Sequence, residues 1–170
     1  MRNQFGMRHG QAQEATKATV ELTEEQVESL VFMYQEEKMA GDVYSVFAEE
    51  YDAPIFEQIA ASEDKHASAV ENLLVQAGVD TSALDALEPG EFQNEELQAL
   101  YDALIEQGST SYESALEAGV AIEETDIADL SVYLQESEMT DAMVNVYEHL
   151  SDGSENHLDA FTTQLETLSA

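Results

Sequence analysis

Glu63-x-x-His66 sets a carboxylate and an imidazole one helical turn apart, on a face otherwise lined by Ile55, Ile59, Val70, Leu73 and Ala77. Glu123-x-x-Asp126 repeats that spacing with two carboxylates, between Gly119 and Leu130. Glu37, with Glu36 as its near neighbour, interrupts a stripe running Val27, Leu30, Tyr34, Gly41, Tyr44 and Ala48; His157 interrupts another running Met143, Tyr147, Leu150, Ser154, Phe161 and Leu165. Charged groups persist on apolar faces when they are paired with each other or bound to metal. Four helices directing Glu37, Glu63, His66, Glu123, Asp126 and His157 at one level would hold two metal ions through bridging carboxylates. That oxygen-rich set with two nitrogens suits iron or manganese better than a closed structural zinc site.

Each of these residues also has a plainer reading. Glu37, beside Glu36 and Lys38, could be solvated, and Glu63 with His66 could form a boundary pair bonded only to each other. Asp126 has a shorter side chain and could support a histidine rather than bind metal. His157 could be a satisfied core histidine. His149 falls about 80° from His157 around a helix and reads as a surface residue. His9 lies in a polar leading segment and carries no expected role. Tyr44, Tyr133 and Tyr147 fall in the apolar stripes and read as core, with a hydrogen bond to a ligand as the alternative use.

The elements that must position these groups are helices. Thr23 is an N-cap, and Gln26 three residues later completes a capping box, so a first helix begins near Leu22 and ends at Tyr51–Pro54. Pro54 suits the first turn of a second helix that runs to Ala77, with Gly78 as its stop. Residues 78–110 read as a long crossover: Pro89-Gly90 marks a turn, and ELQALYDALIEQG forms a short helix with Gly108 behind it. A third helix is expected over Ser111–Ser137 and a fourth over Thr140–Leu168, with Gly153 inside it permitting a kink or a close approach. No strand pattern competes. The fold class is therefore all-α: a four-helix bundle over residues 22–170, its second and third helices parallel across the crossover, behind a flexible N-terminal tail at residues 1–21.

Composition bounds the rest. A chain of 170 residues fits one domain with a real core. It has no Cys, which rules out thiolate metal sites and dithiol redox chemistry. Against 37 acidic residues stand 5 basic ones, a net charge of −32, yet 44% of the residues are hydrophobic and fall in periodic runs, which argues against disorder. A folded protein with that charge is expected to work in molar salt, where the Debye length shrinks to about 3 Å; the rival reading is a surface that attracts cations. Nonspecific binding to nucleic acid or to anionic membrane is disfavoured either way. The leading segment carries no secretory apolar run and no window is long and apolar enough to span a bilayer, so the expected location is a high-salt cytoplasm unless a leader has been removed.

The spacing Glu37, Ala40, Tyr44 within EEKMAGDVY, together with the ExxH of IAASEDKHASAV, resembles the ferritin-like superfamily, and in particular its rubrerythrin-type di-iron proteins. More closely, EEKMAGDVY, FEQIAASEDKH, GEFQNEELQALYDALIEQGSTS, ALEAGVAIEETDIADL and GSENHLDAF look like a poorly characterised ferritin-like domain family of bacteria and archaea, over about residues 22–168. The resemblance implies a ferritin-like bundle with two iron ions, or manganese or zinc in their place. It implies dioxygen or peroxide as reactant, in ferroxidase or peroxidase chemistry, and an external electron donor, because the Cys-rich domain of full rubrerythrins is missing. Pairing as a homodimer through an outer face is compatible with it. One position departs from the pattern. Rubrerythrin-type proteins carry ExxH on the fourth helix too, and here Ser154 stands three residues before His157. An asymmetric site, a weak second metal position or a water in place of the carboxylate would follow. The alternative function is a non-catalytic scaffold or partner-binding protein with a vestigial or zinc-occupied site.

Overall fold

In a computed structural model, residues 21–135 and 138–170 are described, and they form six helices. The tail expected at residues 1–21 lies outside the described residues except for Glu21, an exposed residue ahead of the first helix. Helix α1 spans Glu24–Tyr51 and starts where the capping box places it. The backbone N–H of Gln26 donates to Thr23 Oγ1 (3.2 Å), and that of Thr23 donates to Gln26 Oε1 (2.9 Å). Asp52 takes a left-handed conformation (φ 47°), and Pro54 opens helix α2, Pro54–Gln76, at its first position. Gly78, with φ 82°, follows the end of α2 as expected of a stop residue.

The crossover holds two helices rather than the single one expected: α3 (Ser82–Asp85) and α4 (Glu95–Gly108). Gly108 is the last residue of α4 instead of the stop behind it. The reason is packing, since a Cβ at Gly108 would lie 2.0 Å from Phe47 Cζ, so only glycine lets α4 settle on α1. Two latches hold the crossover down. Gln35 Oε1 accepts from the backbone N–H groups of Gln93 (2.6 Å) and Asn94 (3.1 Å). Lys38 Nζ donates to Asp42 Oδ2 (2.5 Å) and to the carbonyl of Glu88 (3.0 Å), while Asp42 Oδ2 also accepts from Gly90 N (2.8 Å). Helix α5 (Tyr112–Leu134), capped by Ser111, ends earlier than the expected Ser137; residues 136 and 137 lie outside the described residues. Helix α6 spans Asp141–Leu168 with Thr140 as its N-cap.

Two apolar clusters set the helix directions. One joins Leu30 and Met33 of α1, Val70 and Leu74 of α2, Leu130 of α5, and Met143, Tyr147 and Leu150 of α6. The other joins Val43, Tyr44 and Phe47 of α1, Phe56 and Ile59 of α2, Leu116 and Ile122 of α5, and Phe161 of α6. The first end therefore collects the early halves of α1 and α6 with the late halves of α2 and α5. Helices α1 and α6 run one way, α2 and α5 the other, and the crossover spans the length of the bundle. Among the described residues no helix is long and apolar enough to cross a membrane.

Gly108→Ala tests the seating of α4. Forcing a methyl into the Phe47 ring is expected to lower unfolding free energy by about 1–3 kcal/mol, the usual cost of overpacking a dense core. Denaturant titration at high salt reads it; an unchanged midpoint would place α4 off Phe47.

Candidate metal centre

Between the two clusters lies a layer of polar groups. Glu37, Glu63, His66, Glu123, Asp126 and His157 are all buried, with exposures of 2% to 9%. The sequence-derived set thus converges from four helices: Glu37 from α1, Glu63 and His66 from α2, Glu123 and Asp126 from α5, His157 from α6. The layer sits there because each helix replaces one turn of its apolar face with these residues, and the turns align when the clusters pack.

Two ligand groups stand out. Glu37, Glu63 and His66 bring one donor atom each within 4.8 Å of one another, and so do Glu63, Glu123 and His157. Glu63 belongs to both. Its Oε2 lies 2.7 Å from His66 Nδ1 and its Oε1 lies 2.8 Å from His157 Nδ1. Despite those distances, neither oxygen of Glu63 nor the Nδ1 of His157 has an aligned hydrogen bond. His66 Nδ1 also stands 3.2 Å from Glu37 Oε2, and His157 Nδ1 stands 3.6 Å from Glu123 Oε2. Glu37 Oε1 and Asp126 Oδ1 are likewise buried without a hydrogen-bond partner. His66 Nδ1 is hydrogen-bonded to Glu37 Oε2, whereas Glu63 and His157 keep buried donor atoms without an aligned partner, a clustering able to hold a common cation.

Neighbours orient the candidate ligands. The Tyr44 hydroxyl, fully buried, donates to Glu123 Oε1 at 2.6 Å, so this stripe tyrosine bonds a candidate ligand. Tyr147 instead pairs its hydroxyl with Ser29 Oγ (2.8 Å), and its ring packs on Tyr133. Ser154 Oγ donates to Asp126 Oδ2, so the serine that departs from ExxH holds the carboxylate of the facing helix. Gly153 makes the close approach read as one of its two uses: a Cβ there would sit 2.5 Å from His66 Cε1 and 2.6 Å from His66 Nε2. His149 is exposed, as expected, with its ring 6.0 Å from that of His66. His9 lies outside the described residues.

Glu36 is the residue that sequence reasoning left at the margin. It is only 3% exposed, and its Oε2 has no hydrogen-bond partner. It begins a second apolar row on α1, Met39–Val43–Phe47, which faces α4 and α5. That 3–4–4 spacing was the available signal, and it is hidden because the first row already accounts for one face.

Burial and crowding of carboxylates push Glu36 up to about 9, with Asp126 and Asp129 adding to the desolvation. Asp126 rises to about 7, chiefly through burial and against the lowering effect of Ser154. Glu37 and Glu123 are raised too, first by desolvation. Burial would also raise Glu63, but the imidazoles of His157 and His66 outweigh it and bring the group down to about 2. Burial would lower His157, yet Glu123 and Glu63 outweigh it and lift the imidazole to about 10. Among the described residues the basic side chains are Lys38, held at the crossover, and Lys65, which is exposed, so no lysine or arginine neutralises the layer.

Comparison with known proteins gives a coherent picture of relatedness. The family described as an uncharacterized protein domain (DUF2202) matches residues 26–169. An uncharacterized protein of Methanocaldococcus jannaschii, MJ0754, is 39% identical over 145 residues, which is 85% of this chain and 77% of that protein. The crystal structure of hypothetical protein MJ0754 from Methanococcus jannaschii superposes with a TM-score of 0.82 at 37% identity, covering 89% of this chain and 85% of that one.

A raised folded value means that the native layer keeps protons which the unfolded chain has released, so stability is lost as pH climbs through that window. For Asp126 the window runs from 3.8 to about 7, for Glu36 from 4.5 to about 9, and for His157 from 6.5 to about 10. Glu63 acts in the opposite sense between about 2 and 4.5 and contributes fully above that. Metal-free protein at constant high salt is therefore expected to melt at steadily lower temperature from pH 5 to pH 9, and added divalent cation should flatten the slope. A flat profile without metal would contradict the buried charge.

Proposed function

We propose that this chain, which belongs to the DUF2202 family, is a ferritin-like four-helix bundle that binds two divalent metal ions, iron first and manganese or zinc as substitutes. The parallel α2 and α5, the bundle-length crossover and the polar layer contributed by all four long helices support that reading. The observation that carries it is Glu63: each of its oxygens faces a different imidazole at 2.7 or 2.8 Å, and both are buried without an aligned hydrogen bond. Burying an ionised carboxylate costs several kcal/mol, which the two imidazoles offset electrostatically without supplying aligned hydrogen bonds. Two cations, one beside Glu37 and His66 and one beside Glu123 and His157, would satisfy both oxygens and offset the four ligand carboxylates.

A redox-active metal pair bound there would supply electron exchange with dioxygen or peroxide, in the manner of a ferroxidase or peroxidase. The chain's own part is to hold and seal. Glu63 would link the two positions, Tyr44 steadies Glu123, Ser154 steadies Asp126, and the apolar clusters above and below keep bulk water from the layer. Without Cys the chain has no dithiol to supply electrons, so turnover draws on an external donor. The net charge of −32 supports concentrated salt as its working medium.

Elemental analysis of protein purified from its native cells at high salt is expected to find about two iron or manganese ions per chain, as a di-metal carboxylate bundle requires. Glu63→Ala should abolish both, and His157→Ala should lose the one beside Glu123, each with helicity retained by circular dichroism. Protein that carries no metal and melts identically in chelator would instead identify a non-catalytic scaffold. Gly153→Ala separates fold from site: helix propensity improves by about 1 kcal/mol, while the methyl displaces His66. Weaker metal binding at undiminished helicity is expected, and unchanged affinity would remove His66 from the ligand set.

A further inference from the structure

Two cavities meet at Glu36. The outer one, about 60 Å³, lies between α1, α4 and α5 and is walled by Met39, Leu100, Leu104, Ala121, Ile122 and Thr125. Its mouth is at the surface, where Leu100, Ala121 and Thr125 are exposed. The inner one, about 10 Å³, is bounded by Ala40 and Ile122 and by the carboxylates of the layer, Glu36, Glu37, Glu63, Glu123 and Asp126. Glu36 and Ile122 line both, so those two side chains are the partition between an apolar vestibule and the candidate metal centre. Glu36 presents a buried Oε2 with no hydrogen-bond partner at that partition.

From this geometry we infer that the cleft between α4 and α5 is the entry by which dioxygen, a small neutral oxidant, reaches the layer. The role given to the cleft rests on the metal-binding reading above. A hydrated cation would have to shed its water against five apolar walls and the Thr125 hydroxyl, with the Glu36 carboxylate meeting it only at the inner end, whereas a neutral diatomic sheds almost nothing. The vestibule holds about two waters' share of volume, and apolar cavities of modest size take up gases such as xenon. Helix α4 is pinned over it by Gly108 against Phe47 and by the Gln35 latch, so the vestibule is a built feature of the crossover.

Methyl NMR of the metal-free protein under xenon pressure tests the cavity directly. Saturable shifts are expected at the methyls of Met39, Leu104 and Ile122, and Ala121→Phe at the exposed mouth should abolish them. In iron-loaded protein, Ala121→Phe should slow oxidation by dioxygen several-fold with iron content unchanged, and Ile122→Ala, which thins the partition, should quicken it. Absent xenon shifts overturn the proposal, as does an unaltered oxidation rate in Ala121→Phe. Slowing with hydrogen peroxide alone would also overturn it, since the traveller would then be polar. A wild-type chain that takes up no iron would defeat the metal-binding reading instead, and the xenon result would still decide whether the vestibule admits gas.

Discussion

The governing constraint is the burial of five carboxylates and two imidazoles in one layer with, among the described residues, no lysine or arginine beside them. Water satisfies a carboxylate cheaply at the surface, and dissolved salt screens one carboxylate from the next over a few ångströms at molar concentration. Neither remedy reaches a layer whose members are 2% to 9% exposed. The many surface acids and the few interior ones therefore pose separate problems. Mobile ions suffice for the first. The second is met by protons held at raised affinity or by cations held at fixed positions, and the apolar clusters on both sides prevent a compromise between the two.

That constraint explains features of the scaffold that would otherwise look incidental. Four helices must bring one turn each to the same height, so each long helix is anchored by local chemistry: the Thr23–Gln26 box on α1, Pro54 on α2, Ser111 on α5 and Thr140 on α6. Caps of this kind contribute on the order of 1 kcal/mol each, and they also fix where a helix starts and so the height of every residue along it. The helices must also approach closely around the layer, which is why Gly153 stands where the ring of His66 fills the place of a Cβ. Helix α4 then covers the flank of α1 that carries Glu36 and Gln35, two polar residues that four helices alone would leave wet.

Much of this is legible in the sequence, for a physical reason. Long amphipathic helices print their inward face at a period of 3.6, and a charged residue on that face is conspicuous; Glu37, Glu63, His66, Glu123, Asp126 and His157 were all found in that way. The method looks for one buried face per helix. Helix α1 has two, since it packs on its bundle partners and also under α4, so Glu36 was read as a neighbour although the row Met39–Val43–Phe47 continues from it. The crossover was harder still. Its additional helix, α3, has four residues, too few to show a period, and its latches at Gln35 and Lys38 join positions fifty or more residues apart. Nothing local marks such pairs. Gly108 was misplaced for a related reason: a glycine at a helix end usually stops the helix, and only the Phe47 ring reveals a steric use.

The departure at Ser154 has a simple geometric resolution. If every helix pair supplied the same ligands, α6 would carry a carboxylate three residues before His157, facing the layer. Helix α5 carries two carboxylates instead of one, Glu123 and Asp126, and the extra one sits opposite Ser154. The number of carboxylates in the candidate ligand set is thus four, with two on α5 and none on α6. Aspartate reaches less far than glutamate, so it can occupy the layer from α5 without colliding with α6. A serine, with no exposed surface of its own, is small enough to leave that space and polar enough to hold the visitor by its hydroxyl. A glutamate at position 154 would bring a fifth ligand carboxylate into the same volume and leave Asp126 without its donor. The arrangement breaks the symmetry between the helix pairs, giving the α5–α6 side a shorter, serine-anchored carboxylate that α1–α2 lacks.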